Sequence, residues 1–562
     1  MSVLQFKKVN CKDCYKCVRY CPVKSIRVRD HAASILPGEC ILCGNCTIIC
    51  PQHAKEDIND VPMIQVLLEQ HENVIAMIAP SYSAYFNVSF ETMKHHLMEL
   101  GFTDVFEVAE GAHIVKSEYE KIIAENPHKT WITSCCSSVN YYIKKHRSDA
   151  AKYLLPVLTP MTAHAKLLRD RYPTGKFVFI GPCLSKKGEA FEDGSNVSAV
   201  LLFEELEEWF QEENIQLHEE EDFFNESARL SRLFPLSGGV LATMKQEPGI
   251  NYLPISGFDG VSQTIDDVIA GKLPNCVIEM NFCKGGCIGG PSFRRKELGT
   301  LRGAVKVRQA AGTTDYNEDF HVEEELDYST EFHSKRVLQL EPTEEQIEAV
   351  LRQMDKFTPE DELNCGICGY PTCREKARAV IHGKAEITMC MPYIRKRAEN
   401  YADTIIQSIP RGVLAVDMTL KILQANPAAC EIFGVDADSL VGQPVRTLLD
   451  DSDFVALLSS NEETFNSNIY LPDYNLYLDE TLHFNREAQI IICILKNVSE
   501  KKFKQRLALQ KKQQAAAIAD QIMEKQLRMV HEIASLLGET ASETKIAISD
   551  LKDTVMLEDF NG

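Results

Sequence analysis

The sequence predicts a multidomain protein of mixed α/β and α+β class. Its 562 residues exceed what one hydrophobic core usually holds. Two cysteine-dense stretches flank a long segment in which apolar, strand-like runs alternate with amphipathic, helix-like runs. The last stretch almost lacks glycine and proline and is rich in Lys, Gln, Ala and Glu, as long helices are. We expect five parts, at residues 1–58, 59–340, 341–398, 399–500 and 501–562.

The overall charge and the apolar runs exclude two classes of partner. A net charge of -21 argues against nucleic acid, because phosphate binding needs clustered Lys and Arg. The N-terminus has no signal-like apolar region, and the longest apolar runs, residues 74–80 and 489–495, match buried strands rather than membrane spans. We therefore expect a cytoplasmic protein. In a reducing compartment its 20 cysteines predict metal ligands rather than disulfides.

The first cysteine-dense segment contains an internal repeat of C-x2-C-x2-C-x3-C-P. Three closely spaced thiolates occupy three corners of one [4Fe–4S] cube, and the fourth cysteine of each run reaches the other cube. The expected ligand sets are Cys11, Cys14 and Cys17 with Cys50, and Cys40, Cys43 and Cys46 with Cys21. A zinc module needs only four ligands and does not require the doubled pattern. The segment resembles a bacterial two-cluster ferredoxin domain, which implies transfer of single electrons.

Three further cysteine segments lie far apart in the chain. They read Thr-Ser-Cys-Cys-Ser at residues 133–137, Gly-Pro-Cys-Leu-Ser-Lys-Lys-Gly-Glu at 181–189, and Glu-Met-Asn-Phe-Cys-Lys-Gly-Gly-Cys-Ile-Gly-Gly at 279–290. They supply enough thiolates for another cluster, and their glycines let the backbone approach it closely. Spacing alone leaves a buried structural cluster and a cysteine nucleophile open as alternatives.

These three segments resemble the signature motifs of [FeFe] hydrogenases, TSCCPxW, MPCxxKxxE and ExMxCxxGCxxGG. With the ferredoxin-like segment, the resemblance covers roughly residues 1–340. It implies a core of two α/β lobes that holds an H-cluster. In that cluster Cys136, Cys183, Cys283 and Cys287 would bind a [4Fe–4S] cube, and Cys287 would bridge to a two-iron unit carrying CO, CN⁻ and a dithiolate amine.

The resemblance also implies roles for residues around that cluster. Cys135 matches the cysteine that shuttles protons, and Lys186 matches the lysine that hydrogen-bonds a cyanide. Glu110 matches a first relay glutamate, and Glu189 is the glutamate that closes the second motif. The remaining residues expected to contact the cofactor are Ala79, Pro80, Ser81, Pro182, Phe234 (with the following Gly238-Gly239) and Asn281.

Several positions depart from the family pattern. Ser137 replaces a proline, Val139 a tryptophan, and Gly181 and Asn281 replace methionines. In addition, Met161 replaces a glutamine, His113 stands at the second relay glutamate, and no relay serine occurs near residues 155–156. Because groups around a metal site tune it, we expect slow, pH-dependent proton transfer.

A second cysteine cluster follows the core, with Cys365, Cys368, Cys373 and Cys390 spaced C-x2-C-x4-C-x16-C. It resembles a small [4Fe–4S] domain of anaerobic redox proteins. Zinc remains an alternative, since four cysteines also satisfy Zn²⁺. Including this site, we expect four [4Fe–4S] clusters: two in the ferredoxin-like segment, one in the H-cluster and one here.

Residues 403–498 resemble a PAS domain. Residues 409–417 read as a strand leading into a turn, Asn426 before Pro427 reads as a helix N-cap, and residues 490–496 read as a closing strand. The C-terminal helical region, with a break expected near Gly538, has apolar positions compatible with a coiled coil or bundle, so we expect a homodimer.

Taken together, these features predict an [FeFe] hydrogenase that interconverts H2 with protons and electrons and senses H2 or redox state through its PAS domain. We expect a redox partner such as ferredoxin, and a phosphatase or kinase as signalling partner. The alternatives are a metabolic, ferredoxin-linked hydrogenase and a non-enzymatic, hydrogenase-like iron–sulfur protein. Cys135 and Lys186 argue against the second, because a cluster scaffold needs neither a proton shuttle nor a cyanide partner.

Overall fold

A computed structural model describes residues 3–70, 73–220, 229–316 and 326–558, with side chains described as far as residue 552. The chain folds into two compact units, Met1–Ile394 and Arg395–Gly562. Parallel sheets, antiparallel sheets and helices occur together, so the predicted mixed α/β and α+β class is confirmed.

The N-terminal segment consists of two small antiparallel sheets and two short helices. Strand β1 pairs with β4, and β2 pairs with β3 across a two-residue turn. Both turn residues, Asp30 and His31, have positive φ, as a tight hairpin requires. The elements are β1 (Leu4–Phe6), α1 (Lys16–Tyr20), β2 (Ile26–Arg29), β3 (Ala32–Ile35), α2 (Asn45–Ile48) and β4 (Lys55–Asp57).

The cysteine repeat is also a repeat of backbone conformation. Positive φ angles occur at Asp13, Tyr15 and Lys24 in the first half, and at Leu42, Gly44 and His53 in the second. Each residue of the second half lies 29 positions after its counterpart, as each repeated cysteine does. Because non-glycine residues rarely adopt positive φ, both halves bend around the same kind of centre.

The described residues between 59 and 316 form the two α/β lobes that the sequence predicts. The first lobe has a four-stranded parallel sheet, in the order β6-β5-β8-β9, and the second a three-stranded parallel sheet, in the order β10-β11-β7. The strands are β5 (Val74–Ile78), β6 (Asp104–Glu107), β7 (Trp131–Ile132), β8 (Lys176–Gly181), β9 (Ala199–Leu202), β10 (Asn251–Ser256) and β11 (Cys276–Asn281).

Helices cover these sheets, and the central strands β5 and β8 are almost wholly buried, as strands covered on both faces are. The helices are α3 (Val61–Gln70), α4 (Tyr82–Phe86), α5 (Phe90–Glu99), α6 (Ala109–Glu125), α7 (Ser137–His146), α8 (Pro160–Arg171), α9 (Leu184–Ala190), α10 (Phe203–Glu212), α11 (Gly239–Thr243), α12 (Phe258–Ile269), α13 (Pro291–Arg295) and α14 (Thr300–Ala310).

The strand order explains where the motifs meet. Residues 79–81 follow β5, residues 133–137 follow β7, residues 182–183 follow β8, and residues 282–287 follow β11. All four motifs therefore leave the carboxyl ends of parallel strands, which is where α/β sheets generally bind ligands.

The second cysteine cluster lies between helices α15 (Glu344–Gln353), α16 (Cys373–Ile381) and α17 (Met391–Ser408). Thr343 and Thr372 cap the first two of these helices by accepting hydrogen bonds from backbone N–H groups.

The second unit contains a five-stranded antiparallel sheet in the order β13-β12-β16-β15-β14. Asn426 caps α18 as expected, since its side chain accepts from the backbone N–H of Ala429 at 2.9 Å. The elements are β12 (Gly412–Asp417), β13 (Ile422–Ala425), α18 (Pro427–Phe433), α19 (Ala437–Leu440), α20 (Ser452–Ser459), β14 (Thr464–Leu471), β15 (Leu476–Asn485) and β16 (Ile490–Asn497).

One long helix, α21 (Ser499–Glu558), ends the described chain. It runs without interruption through Gly538, so the expected break at that residue is wrong. Among the residues described, the structure contains no helix with the length and apolar character needed to cross a membrane.

Candidate active site

Most of the site residues predicted between residues 59 and 340 line a cavity of about 110 Å³. Its lining is largely apolar and includes Met161 and Val240 beside the motif residues. The predicted residues that line it are Cys135, Cys136, Cys183, Cys287, Lys186, Ala79, Pro80, Ser81, Pro182, Phe234 and Asn281. Two parallel sheets thus contribute to one mostly apolar site.

Four cysteines form a mutually interacting group at this cavity. Burial raises the pKa of Cys136, and the nearby Cys183 raises it further. Burial also raises the pKa of Cys283, with added contributions from Cys183, Cys136 and Cys287. Thiolates so close together in a dry place repel one another, and a bound cation relieves that repulsion. This donor set fits an iron–sulfur cluster.

Cys135, next to that group in sequence, contacts Tyr119 of helix α6. The Tyr119 hydroxyl lies 3.3 Å from the Cys135 sulfur and 2.9 Å from the Ser134 hydroxyl. Burial raises the pKa of Cys135 to about 12, although the Tyr119 hydrogen bond lowers it. Cys135 is therefore a protonated thiol near neutral pH, in a form that donates a proton.

The chain of hydroxyls beyond Cys135 ends inside the protein. Tyr119 is fully buried, and the Ser134 hydroxyl donates to the carbonyl oxygen of Val157 at 2.7 Å. A carbonyl accepts a hydrogen bond but has no proton to pass on. The described contacts of Cys135 therefore provide no continuous path for protons to the surface.

Lys186 belongs to a compact polar network at the wall of the same cavity. Its ammonium lies 2.7 Å from a Glu189 carboxylate oxygen and 2.9 Å from the Thr159 hydroxyl. Both the Ser137 and the Thr159 hydroxyls donate to the Glu189 carboxylate. All four side chains are buried, so the Lys186 ammonium is paired with the Glu189 carboxylate and held at the cavity wall.

Glu110, predicted as the first relay glutamate, lies elsewhere. Its carboxylate is 3.5 Å from His164 and 3.8 Å from Arg171, and it does not line the cavity. Tyr119 contacts Cys135 instead, nine residues and ~14 Å further along the same helix. A later turn of α6 therefore contacts the Cys135 sulfur, and the relay role of Glu110 stays a prediction.

Two more residues of the site were not among the predicted site residues, although Glu279 opens the third cysteine motif. Glu279 is almost fully buried at the cavity, where its carboxylate accepts from the backbone N–H of Gly238 and the side chain of Asn281, both at 2.7 Å. It therefore fixes two cavity walls. Tyr119 is detectable by helical periodicity alone, since it lies two turns after the cavity residue Ala112.

The repeated cysteines of the N-terminal segment group as the spacing suggests. Burial raises the pKa of Cys17, which Cys14 and Cys50 raise further and the nearby Lys55 lowers. In the other group, burial raises the pKa of Cys40, Cys43 and Cys46, and the charge of Cys21 adds to each shift. The fourth cysteine of each run therefore lies with the other run.

The second of these groups adjoins the central cavity. Gly188 and Gly44 mark the contact: a Cβ at Gly188 would lie 2.3 Å from Leu42, and a Cβ at Gly44 would lie 2.6 Å from Pro291. Cys43, between Leu42 and Gly44, is close enough to Cys283 to raise its pKa. The two thiolate groups are thus neighbours across a tightly packed junction.

Cys365, Cys368, Cys373 and Cys390 surround one small cavity of about 20 Å³. This site packs against helix α1, where a Cβ at Gly369 would lie 2.9 Å from Val18. The Lys24 ammonium joins the two parts by donating to the carbonyls of Val18, Arg19 and Gly369 at 2.9–3.0 Å.

Family models match four segments of the chain. Residues 72–291 match the model of the iron only hydrogenase large subunit, C-terminal domain. This segment is an iron-only hydrogenase domain. Residues 4–51 match the 4Fe-4S dicluster domain, residues 361–392 an Fe-S cluster model, and residues 401–469 the PAS fold. The match over residues 361–392 favours an iron–sulfur cluster over zinc at the Cys365 site.

Solved structures similar to the chain include an [FeFe]-hydrogenase from Chlamydomonas reinhardtii, with 16% identity, coverage of 50% of this chain and 100% of that chain, and a TM-score of 0.40. The PAS domain of nitrogen regulation protein NR(II) from Vibrio parahaemolyticus matches 17% of this chain and 96% of its own, with 21% identity and a TM-score of 0.15.

Two curated relatives match shorter segments. One component of the ion-translocating oxidoreductase complex of Methanosarcina acetivorans is 45% identical over 49 residues, which cover 9% of this chain and 19% of the relative. The HTH-type transcriptional regulatory protein TyrR of Citrobacter braakii is 26% identical over 102 residues, covering 18% and 20%. The matched part of this chain spans about a fifth of each curated relative.

Proposed function

We propose that the chain interconverts H2 with protons and electrons at an H-cluster in the central cavity. The observation that carries this proposal is the convergence of Cys136, Cys183 and Cys287 with Cys135 and Lys186 on one apolar cavity of the iron-only hydrogenase domain, with Cys283 beside these cysteines. Cys136, Cys183, Cys283 and Cys287 would hold the [4Fe–4S] part. When bound, the two-iron unit with CO, CN⁻ and a dithiolate amine supplies the chemistry that splits or forms H2.

The protein's own side chains prepare the cavity for that chemistry. Cys135 holds a proton on sulfur and presents it to the cavity. Lys186 offers a positive charge that favours anionic ligands such as cyanide. Phe234 and Met161 limit the entry of water, which strengthens these charge interactions.

Electrons would reach the cavity through the ferredoxin-like segment. The packing of Leu42 on Gly188, with Cys43 beside Cys283, supports the Cys21, Cys40, Cys43 and Cys46 cluster as the immediate electron donor. The other dicluster site and the Cys365 site would then connect to an external redox protein such as ferredoxin.

Infrared spectroscopy tests the H-cluster directly. After anaerobic maturation we expect CO and CN⁻ bands in the native protein. Cys287→Ser should abolish them, because it removes the proposed bridging thiolate. Cys276→Ser is the matched control, since Cys276 begins strand β11 and donates to the Pro274 carbonyl at 3.2 Å without lining the cavity. A native protein without these bands, loaded with iron and sulfide, would contradict the proposal.

We further propose that this activity is slow and serves as an H2 or redox sensor. The PAS fold and the 60-residue helix α21 support an output role. On that helix, apolar or small residues follow a 4-3 spacing: Met523, Leu527, Val530, Ala534, Leu537, Ala541, Thr544, Ile548 and Leu551. Such a stripe pairs with a second copy in a coiled coil, so we expect a homodimer that signals to a kinase or phosphatase.

Truncation separates sensing from catalysis. A chain that lacks residues 399–562 should keep its CO and CN⁻ bands and its H2 chemistry. It should lose dimerisation and every H2-dependent effect on a signalling partner. Fast turnover with ferredoxin, together with an unchanged response after truncation, would favour a metabolic hydrogenase instead.

A further inference from the structure

The network around Glu189 connects two cavities. Ser137 lines the central cavity and also a second cavity of about 90 Å³, whose wall includes Thr159 and Glu189. A buried water needs ~10–15 Å³ and a few polar partners, so this second cavity has room for several waters. Its outer wall contains Glu192, whose side chain is one-third exposed and pairs with Lys335 at 3.0 Å.

We propose that Ser137, Glu189 and Thr159 carry protons between the second cavity and the H-cluster cavity. The inference rests on the proposed function and adds a proton route to it. Ser137 and Thr159 donate to the Glu189 carboxylate; a hydroxyl can also accept, and a carboxylate that gains a proton can donate it in turn, as stepwise proton transfer requires. The hydroxyl chain beyond Cys135 lacks this property because it ends at the Val157 carbonyl.

The transfer can be written with its protons balanced. When H2 forms, a hydrated proton from solvent enters the second cavity and protonates the Glu189 carboxylate, which leaves a neutral water behind. The Ser137 hydroxyl, which donates to Glu189 at rest, turns toward the central cavity; Glu189 then protonates the Ser137 oxygen while the original Ser137 hydroxyl proton leaves into the central cavity, where it is consumed in forming H2. Thr159 reorients its hydroxyl to stabilise the carboxylate again, and Lys186 takes no part in the transfer. When H2 is oxidised, the same steps run in reverse.

The residue at position 137 distinguishes this chain from the hydrogenases whose motif it resembles. The hydrogenase motif that residues 133–137 resemble has proline at the position of Ser137. Proline has no hydroxyl, whereas the Ser137 hydroxyl donates directly to Glu189. The charged and titratable groups around Glu189 that would shape its pH response are Lys186 on α9, Tyr141 and Lys144 on α7, and Glu192 and Asp193 in the turn after α9.

Variants that keep the shape of the network but block proton exchange test the route. We expect Glu189→Gln and Ser137→Ala to lower H2 turnover about 100-fold, the size of a lost acid–base group. Their CO and CN⁻ bands should match those of the native protein. Thr159→Ser and Ser137→Thr, which keep the hydroxyl, should retain most of the native rate. Infrared difference spectra should show a D2O-sensitive carboxyl band that Glu189→Gln removes.

Glu205→Gln is the matched control. Glu205 forms an equally buried pair with Lys187 at 2.6 Å but faces neither cavity. It should leave the rate, its pH profile and the carboxyl band unchanged. Native rates in Glu189→Gln and Ser137→Ala would overturn the proposed route. Loss of the CO bands in both variants would overturn it too, because that result would show that the network maintains the structure of the cavity. Absence of CO bands from the native protein would instead overturn the proposed function.

Discussion

Replacing Gly286 by alanine tests how closely the backbone must approach the central cavity. Gly286 lies between the proposed ligands Cys283 and Cys287 and has a φ of +93°. A Cβ there would lie 2.3 Å from the Pro235 carbonyl oxygen and 2.8 Å from the Ser237 nitrogen. The neighbouring segment, which includes two residues of the cavity wall, would have to move.

The expected loss of stability in Gly286→Ala is the sum of two contributions. Forcing a non-glycine residue into positive φ costs about 1–3 kcal/mol. Overpacking against backbone costs about 1–3 kcal/mol more. A loss of about 2–6 kcal/mol lowers the melting temperature of a domain of this size by roughly 5–20 °C. The hydrogen bond from the Cys287 N–H to the Pro235 carbonyl, 2.7 Å long, would be disturbed at the same time.

Thermal unfolding and iron content together measure this effect. Gly303→Ala is the control: it lies in helix α14 beside Ile288, where a Cβ finds ordinary contacts at 3.5 Å or more. It should raise stability by about 0.5–1 kcal/mol. If Gly286→Ala melts like the native protein and binds the same iron, the backbone approach described for this loop is incorrect.

Three further results are expected. Lys24→Gln should expose the Cys365 site to proteolysis and iron loss, because it removes the charged donor that joins helix α1 to Gly369, an interaction worth about 1.5–3 kcal/mol; protection equal to that of native protein would refute this. For Asp315, burial alone would raise the pKa, but donors including His113 lower it below its ordinary value. Its ionised form therefore stabilises the fold above the unfolded pKa of ~3.9. The difference in free energy of unfolding between the native protein and Asp315→Asn should shrink as the pH falls below that value. A difference that stays constant with pH would contradict this. Leu527→Asp should convert the dimer to a monomer in analytical ultracentrifugation without loss of iron, and a persistent dimer would place the interface elsewhere.

The cysteine positions could be predicted from the sequence because covalent spacing limits which thiolates reach one cluster. Cys21 and Cys50 exchange partners between the two halves, as the doubled pattern requires. The central cavity was also foreseeable, since its motifs follow strands of parallel sheets. The contact of Tyr119 with the Cys135 sulfur was not predicted, and Glu110, expected from the family resemblance, lies 3.5 Å from His164 and stays a prediction.

Contacts between segments distant in sequence could not be predicted from the sequence pattern. Ser137 was visible as a departure from proline, yet its donation to Glu189 depends on how α7 and α9 pack. The apposition of Gly369 and Val18, 351 residues apart, likewise has no local signal. Helix α21 shows the opposite case, because Gly538 suggested a break that the surrounding helix formers override.

The length of α21 has a mechanical consequence. Sixty residues at 1.5 Å each extend ~90 Å, so this helix acts as a lever. A tilt of 5° at its base moves its far end by ~8 Å, more than one helical turn. In the proposed sensor, a sub-ångström rearrangement at the base of the helix would therefore be amplified into a displacement of several ångströms at its far end.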